Sequence, residues 1–151
     1  MSNILTIKTV HITPLRVLMC TLKDILSSTN IIFTNTGITI RNVSDIILVN
    51  TVLEAKHFEV YECTKSKIII GVNMFHLCNL INSIDKNIYD ILTIYIEDKD
   101  YLGGVVSYLG LKFENSNTKQ CKIQKLGLIK PNVEEPKIDD IMKKIKEEEF
   151  S

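Results

Sequence analysis

Apolar positions along this chain alternate between two periods. Ile4 to Thr9 reads I-L-T-I-K-T, the pattern of a short strand. Thr13-Pro14 then predicts a helix start, with Thr as N-cap and Pro at the first helical position. Leu15, Leu18, Leu22, Ile25 and Leu26 follow at helical spacing, and Ser27-Ser28-Thr29-Asn30 closes the helix. Strands are expected over Asn30 to Phe33, Ile38 to Ile40 and Ile46 to Leu53. Asn35-Thr36-Gly37 forms a hairpin turn between the first two, because Gly accepts positive φ. The order then repeats. Lys67 to Val72 reads as a strand, and Asn73 caps a second helix that buries Met74, Leu77, Leu80, Ile81 and Ile84. Ile91 to Glu97 is a strand and Asp98-Lys99-Asp100 a turn. Leu102 to Leu109 is a strand interrupted at Gly103-Gly104, as by a bulge. Lys119 to Leu126 is the last strand.

This is strand, helix, strand, strand, strand, written twice, with order rather than sequence repeated. It predicts an α+β domain with two helices on one face of an antiparallel sheet. Beyond Leu128 the character changes. Pro131 and Pro136 flank an acidic stretch, and Asp139 to Glu149 is charged. The expected division is a domain over residues 1–128 and a connecting segment with a charged tail over 129–151.

Composition narrows the function classes. Hydrophobic residues make up 45% and charged residues 24%, an ordinary globular balance. Lys plus Arg equals Asp plus Glu at 18 each. A protein that grips nucleic acid through bulk charge is therefore not expected, although a local basic face is compatible with zero net charge. No stretch approaches the ~20 apolar residues that span a bilayer, so no membrane association is expected. The N-terminus lacks a basic region followed by an apolar run, so no signal peptide is expected. Cys20, Cys63, Cys78 and Cys121 show no C-x-x-C spacing. Cys20 and Cys78 fall in apolar helical patterns, where free Cys serves as a small core residue, and a reducing compartment is the simplest reading.

Nothing in the sequence assembles a catalytic site, and no cofactor is expected. His11, His57 and His76 lack zinc-site spacing. Glu97, Asp98 and Asp100 share a turn without an EF-hand pattern. Gly103-Gly104 has no phosphate-loop continuation. Cys63 has only Lys65 as a basic neighbour, which does not make a nucleophile.

Six short runs point to a family. Phe58-Glu59-Val60-Tyr61-Glu62-Cys63 followed by Gly71-Val72-Asn73 resembles the first domain of proliferating cell nuclear antigen, where F-x-x-Y-x-C precedes a strand ending G-V-N and a helix. Leu22-Lys23-Asp24-Ile25 is similar to the L-K-D-L of that family's first helix. Thr36-Gly37-Ile38 matches its first hairpin turn. Ile91-Leu92-Thr93-Ile94 and then Glu97-Asp98 match a later strand and turn. The matches are colinear from about residue 4 to 128. The resemblance implies a DNA-clamp (processivity-fold) domain of two β-α-β-β-β units. It also implies a non-enzymatic sliding clamp that encircles DNA and tethers replication and repair enzymes, in rings of six such domains. A second domain after the connecting segment is absent from this sequence. The chain is then either a piece of a longer protein or a single-domain clamp that closes a ring as a homo-oligomer or with a partner subunit. The divergent, isoleucine-rich character suits a viral or parasite relative.

The resemblance implies three surfaces. The helices would line the hole, meeting double-stranded DNA weakly and without reading sequence. Arg16 and Lys23 share one helix face, and Lys23 stands where the family has a basic residue. On the second helix the polar face holds Asn79, Asn82 and Lys86, and Asn replaces lysines usual in the family at the first two positions. A front pocket would take the short peptide (PIP box) of a DNA polymerase and similar partners, with walls near Val43, Ile46, Leu48, Leu126, Leu128 and Ile129. The last strand, with Lys119, Cys121, Ile123 and Lys125 along one side, would pair with a neighbouring subunit, or its lysines would simply blunt an open edge. Work in a nucleus or at a cytoplasmic (viral) replication site is the matching expectation. The competing reading is a stand-alone interaction module on the same fold that never surrounds DNA; a small viral transcription or packaging accessory is a third.

Overall fold

In a computed structural model, the residues described are 2–43, 48–85 and 87–131, without the Val43 side chain. Among the described residues eleven strands and two helices stand where eight strands and two helices were expected: β1 (Asn3–Thr9), α1 (Ile12–Ile25), β2 (Ser28–Thr34), β3 (Gly37–Val43), β4 (Leu48–Glu54), β5 (Val60–Cys63), β6 (Ile68–Asn73), α2 (Met74–Asn82), β7 (Ile91–Glu97), β8 (Tyr101–Leu102), β9 (Val105–Val106), β10 (Tyr108–Glu114) and β11 (Cys121–Gly127). The α+β class is as expected. The antiparallel strands, however, divide into two main sheets rather than one. Their orders are β11-β10-β7-β1-β5 and β4-β3-β2-β6, with β8-β9 a separate hairpin.

The two orders explain the repeat. Written as two units, β1-α1-β2-β3-β4 and β6-α2-β7-β10-β11, the sheets read 4-3-2 plus the other unit's first strand, and 11-10-7 plus the other unit's first strand. β1 pairs with β7 over Leu5↔Ile96 to Thr9↔Leu92, and β6 pairs with β2 over Ser28↔Asn73 to Phe33↔Ile68. Each unit thus lends its opening strand to its partner's sheet. One core results. Leu5, Ile7, Leu92, Ile96, Leu111 and Phe113 from the five-stranded sheet, and Ile40, Ile68, Ile70 and Val72 from the four-stranded sheet, are all under 2% exposed and belong to one cluster with Leu15, Met19, Leu22, Leu77 and Ile81 of the helices.

Local details depart from the sequence reading. Helix α1 begins at Ile12, so Thr13 is inside it and Pro14 is third; His11 is the N-cap and makes no side-chain cap bond. Pro14 is tolerated because the first-turn N–H groups have no intrahelical acceptor anyway. The turn into α1 is held by the buried Thr9, whose hydroxyl accepts from the His11 N–H at 3.0 Å. Asn73 does cap α2, accepting from the His76 N–H at 3.1 Å. Gly103-Gly104 is no bulge. It is the two-residue turn of the β8-β9 hairpin, with φ of 59° and 83°, the positive pair that such a turn demands. Strand β5 lay unrecognised in the F-x-x-Y-x-C run; it pairs with β1 over Leu5↔Cys63 to Lys8↔Val60.

The helices meet each other. Cys20 of α1 and Cys78 of α2 are joined as a disulfide, with Cα atoms 5.4 Å apart, which replaces the expectation of two free core thiols. Cys63 and Cys121 are free. No described helix is long and apolar enough to cross a membrane.

Gly37 opens β3 with φ 153°, a value L side chains rarely adopt, and an added Cβ there would collide with the Leu53 carbonyl of β4. Gly37→Ala is therefore expected to lower the unfolding free energy by about 1–3 kcal/mol, measured by urea denaturation.

Candidate nucleic-acid interface and partner surfaces

The first candidate surface is the outer side of the helix pair. It is open to solvent: Thr13, Val17, Thr21 and Asp24 of α1, and Phe75, His76, Asn79 and Asn82 of α2, are exposed. Of the predicted DNA-facing residues, Asn79 and Asn82 lie on it, and Lys86 falls outside the described residues. Lys23 is half-buried and its Nζ lies 3.6 Å from Asp24 Oδ1, so its charge is locally balanced. Arg16 requires correction. Its guanidinium turns into the seam, with Nη2 3.5 Å from the Ile81 carbonyl and 3.4 Å from that of Ile84. These carbonyls sit at the C-terminal end of α2, where the backbone dipole attracts a cation. Arg16 thus caps α2 and does not share an open face with Lys23. The described part of this surface mixes polar side chains with the exposed Val17 and Phe75 and is poor in net positive charge.

The second surface is the connecting segment. Leu128 N–H donates to the Ser107 carbonyl and Ile129 N–H to the Gly71 carbonyl, both at 3.0 Å. The Gly71↔Ile129 bridge lays the segment along the free side of β6. This gives the G-V-N run its physical reason. A Cβ on Gly71 would stand 2.6 Å from the Ile129 carbonyl oxygen, Val72 is fully buried, and Asn73 is the helix cap. The F-x-x-Y-x-C run has one too. Tyr61 sends its hydroxyl to the Thr34 carbonyl, 2.5 Å away, with the Gly37 carbonyl at 2.8 Å, tying β5 to the β2-β3 turn. Burial raises the Tyr61 pKa well above the usual tyrosine value.

The predicted pocket residues do not converge. Leu126 is buried against the core and lines no open surface. Leu128 is half-buried, and Ile129 is 46% exposed beside β6. Leu48 begins β4, at the opposite edge of the four-stranded sheet, about four strand spacings or roughly 19 Å from Ile129. Ile46 and the Val43 side chain lie outside the described residues. Beside the connecting segment, sequence reasoning missed Leu102, Val105 and Tyr108, which are exposed. The Gly-Gly turn alone did not signal them, because Val106 on the same hairpin enters the core.

The third surface is β11, which is an edge strand as expected. Cys121 and Ile123 are exposed along it. Lys119 is not on it; it occupies the preceding turn with φ 62°. Lys125 is on it but its charge is engaged, with Nζ 2.5 Å from Glu97 Oε2 and 2.9 Å from Asp100 Oδ2. Hydrogen bonding from Lys125 lowers the Glu97 pKa from its ordinary 4.5, and both carboxylates raise that of Lys125.

Two sheets that each take in the other unit's first strand, two facing helices and the placed G-V-N and F-x-x-Y-x-C runs agree with one family. Residues 4–135 match the family model described as "Proliferating cell nuclear antigen, N-terminal domain". The chain belongs to the proliferating cell nuclear antigen family. That sliding-clamp family is non-enzymatic. This member of the clamp family is 31% identical over 93 residues to the "Probable DNA polymerase sliding clamp" of Acanthamoeba polyphaga mimivirus. The aligned stretch covers 61% of this chain and 19% of that protein's length.

Two outcomes follow for this clamp-family domain. Lys125→Met should return the Glu97 pKa upward toward 4.5, read by carboxyl NMR titration. The stabilisation from Glu97 is present above the ordinary carboxylate value and disappears as pH falls through the lowered one, so the variant should also lose acid dependence of stability in that window. Gly71→Ala should break the Ile129 bridge while the core stays folded, seen as faster hydrogen exchange at the Ile129 amide with the β2 and β6 amides still protected.

Proposed function

We propose that this chain works as one domain of a DNA sliding clamp, a non-enzymatic processivity factor that surrounds duplex DNA and tethers a DNA polymerase and related enzymes. The supporting observation is the state of the sheet edges. Four edge strands end the two main sheets. β5 is only four residues long, and β6 has the connecting segment bridged to it. β4 and β11 are both seven residues long and, among the described residues, have no strand on their outer side. The pseudo-symmetry makes β4 the counterpart of β11. Pairing β11 of one domain with β4 of the next continues the sheet and repeats head to tail, which closes into a ring when the rotation permits.

In this reading the exposed helix faces meet the duplex. Lys23, Asn79 and Asn82 supply polar, mildly cationic contact with phosphates. The low charge suits a protein held by topology, since tight phosphate contacts would oppose sliding. Arg16 supports this face from behind by capping α2. The exposed apolar residues around the connecting segment, Ile129 with Leu102, Val105 and Tyr108, offer anchors for a partner peptide of the PIP-box type, with Leu128 beneath. DNA replication sites, nuclear or cytoplasmic, are the matching location.

A second reading is supported by the same charge-poor helix face: a clamp-fold interaction module that uses its edges and apolar surface without enclosing DNA. Assembly and topology separate the two. Light scattering should give a ring-sized oligomer, and the protein should be retained on closed circular DNA but lost from it after linearisation. A monomer at all concentrations, with no such topological retention, would leave only the interaction module. Direct contact should be weak, equal across sequences and salt-dependent. In fluorescence anisotropy, Lys23→Ala should reduce the slope of log affinity against log salt by about 1.

A further inference from the structure

We infer that Cys20 and Cys78 form a reversible cystine staple that sets how rigidly the two helices present their outer face. The inference is independent of whether that face meets DNA. It starts from placement. Cys20 lies on α1 and Cys78 on α2, separated by 58 residues in sequence, yet their Cα atoms are 5.4 Å apart. That spacing falls inside the range a disulfide bridges without backbone movement. Facing cysteines on two packed helices therefore need only an oxidant.

The helices do not depend on the bond for their packing. Met19 and Leu22 of α1 and Leu77 and Ile81 of α2 are buried in the shared core, and Arg16 reaches the carbonyls of Ile81 and Ile84. The dithiol chain is thus expected to fold the same way, so the bond can be made and broken in the native protein. Access is one-sided. Cys78 is 1% exposed, whereas Cys20 is half-buried near the rim of the seam. The exposed Asn82 lies over the pair, its Nδ2 3.4 Å from each sulfur.

This asymmetry assigns the order of events for a small-molecule disulfide such as oxidised glutathione. The Cys20 thiol loses its proton and its thiolate attacks one sulfur of the oxidant. One glutathione thiol leaves, carrying the electron pair of the broken S–S bond and taking up a proton. The Cys78 thiolate then attacks Cys20 Sγ, forming the protein disulfide and releasing the second glutathione thiol. Two protein thiols and one external disulfide become one protein disulfide and two external thiols, so electrons and protons balance. Reduced glutathione in excess runs the sequence backward. Cys63, half-buried with its Sγ 3.3 Å from the Lys65 carbonyl, and Cys121, out on β11, are outside this exchange.

The test uses the full chain, folded, equilibrated in glutathione buffers of varied ratio. Free thiols are alkylated and peptides mapped, and thermal unfolding is followed in parallel. The expected result is a linked Cys20–Cys78 peptide, alkylated Cys63 and Cys121, and a melting temperature roughly 5–10 °C higher in the oxidised chain, from a closed loop of this length. The gain should vanish in Cys20→Ser and in Cys78→Ser. The Asn82 side-chain amide should shift between the two wild-type states in NMR, a readout that stands even if a serine variant fails to fold. The proposal is overturned if Cys20 and Cys78 both alkylate fully at oxidant ratios that close a control dithiol peptide. It is equally overturned if glutathione remains on Cys20 without transfer to Cys78, or if the linked and open wild-type chains melt together.

Discussion

The exchange of opening strands between the two units governs this molecule. β1 has no place in its own unit's sheet; it lies between β7 and β5, while β6 crosses the other way to β2. Neither four-strand array is complete without the other half of the chain. The consequence is a single core in which Leu5 and Ile7 are buried by strands encoded far downstream, and Ile70 and Val72 by strands encoded upstream. Stability is therefore shared, and loss of either opening strand removes contacts from both sheets. The long sequence separation of these pairings also delays their formation relative to the local hairpins.

The helix seam is the second organising element. It is held by apolar packing, by a cation on a helix end and by a covalent link. Arg16 brings a full charge to the negative pole of α2, adding a cationic donor at the carbonyls of Ile81 and Ile84. Its Nε is buried without a partner among the described residues, so the arrangement carries a desolvation cost beside its gain. An arginine used this way is withdrawn from the outer face. What remains outside is a mixture of amide, hydroxyl, ring and aliphatic groups with little net positive charge.

Much of this was legible from residue patterns, for physical reasons. The β7 range was read from Ile91 to Glu97 because strict alternation puts Leu92, Ile94 and Ile96 inside. The Asn73 cap was readable because a short amide side chain before an apolar helical run has one favourable use. The α1 start was misread because Thr13-Pro14 carries a local signal that Thr9 outcompetes from the preceding strand. The division into two sheets was invisible, since alternation reports that a strand has two faces and says nothing about which neighbour it finds. Arg16 was assigned by helix periodicity alone. A long side chain can leave the face its Cα occupies, and only the position of the α2 carbonyls shows that it does. The cysteine pair was unreadable for the same reason, as spacing along the chain does not encode which helix faces meet.

The two long edges, β4 and β11, are alike in length and unlike in chemistry. β4 offers Val52 and Glu54 outward, and β11 offers Ile123 and a lysine already neutralised by two carboxylates. A body with unlike ends has a direction. A contact that joined these two ends would be ordered like links rather than mirrored like clasped hands. Wherever no strand covers such an end, it holds a ladder of hydrogen-bonding groups bare to solvent, a template for another chain.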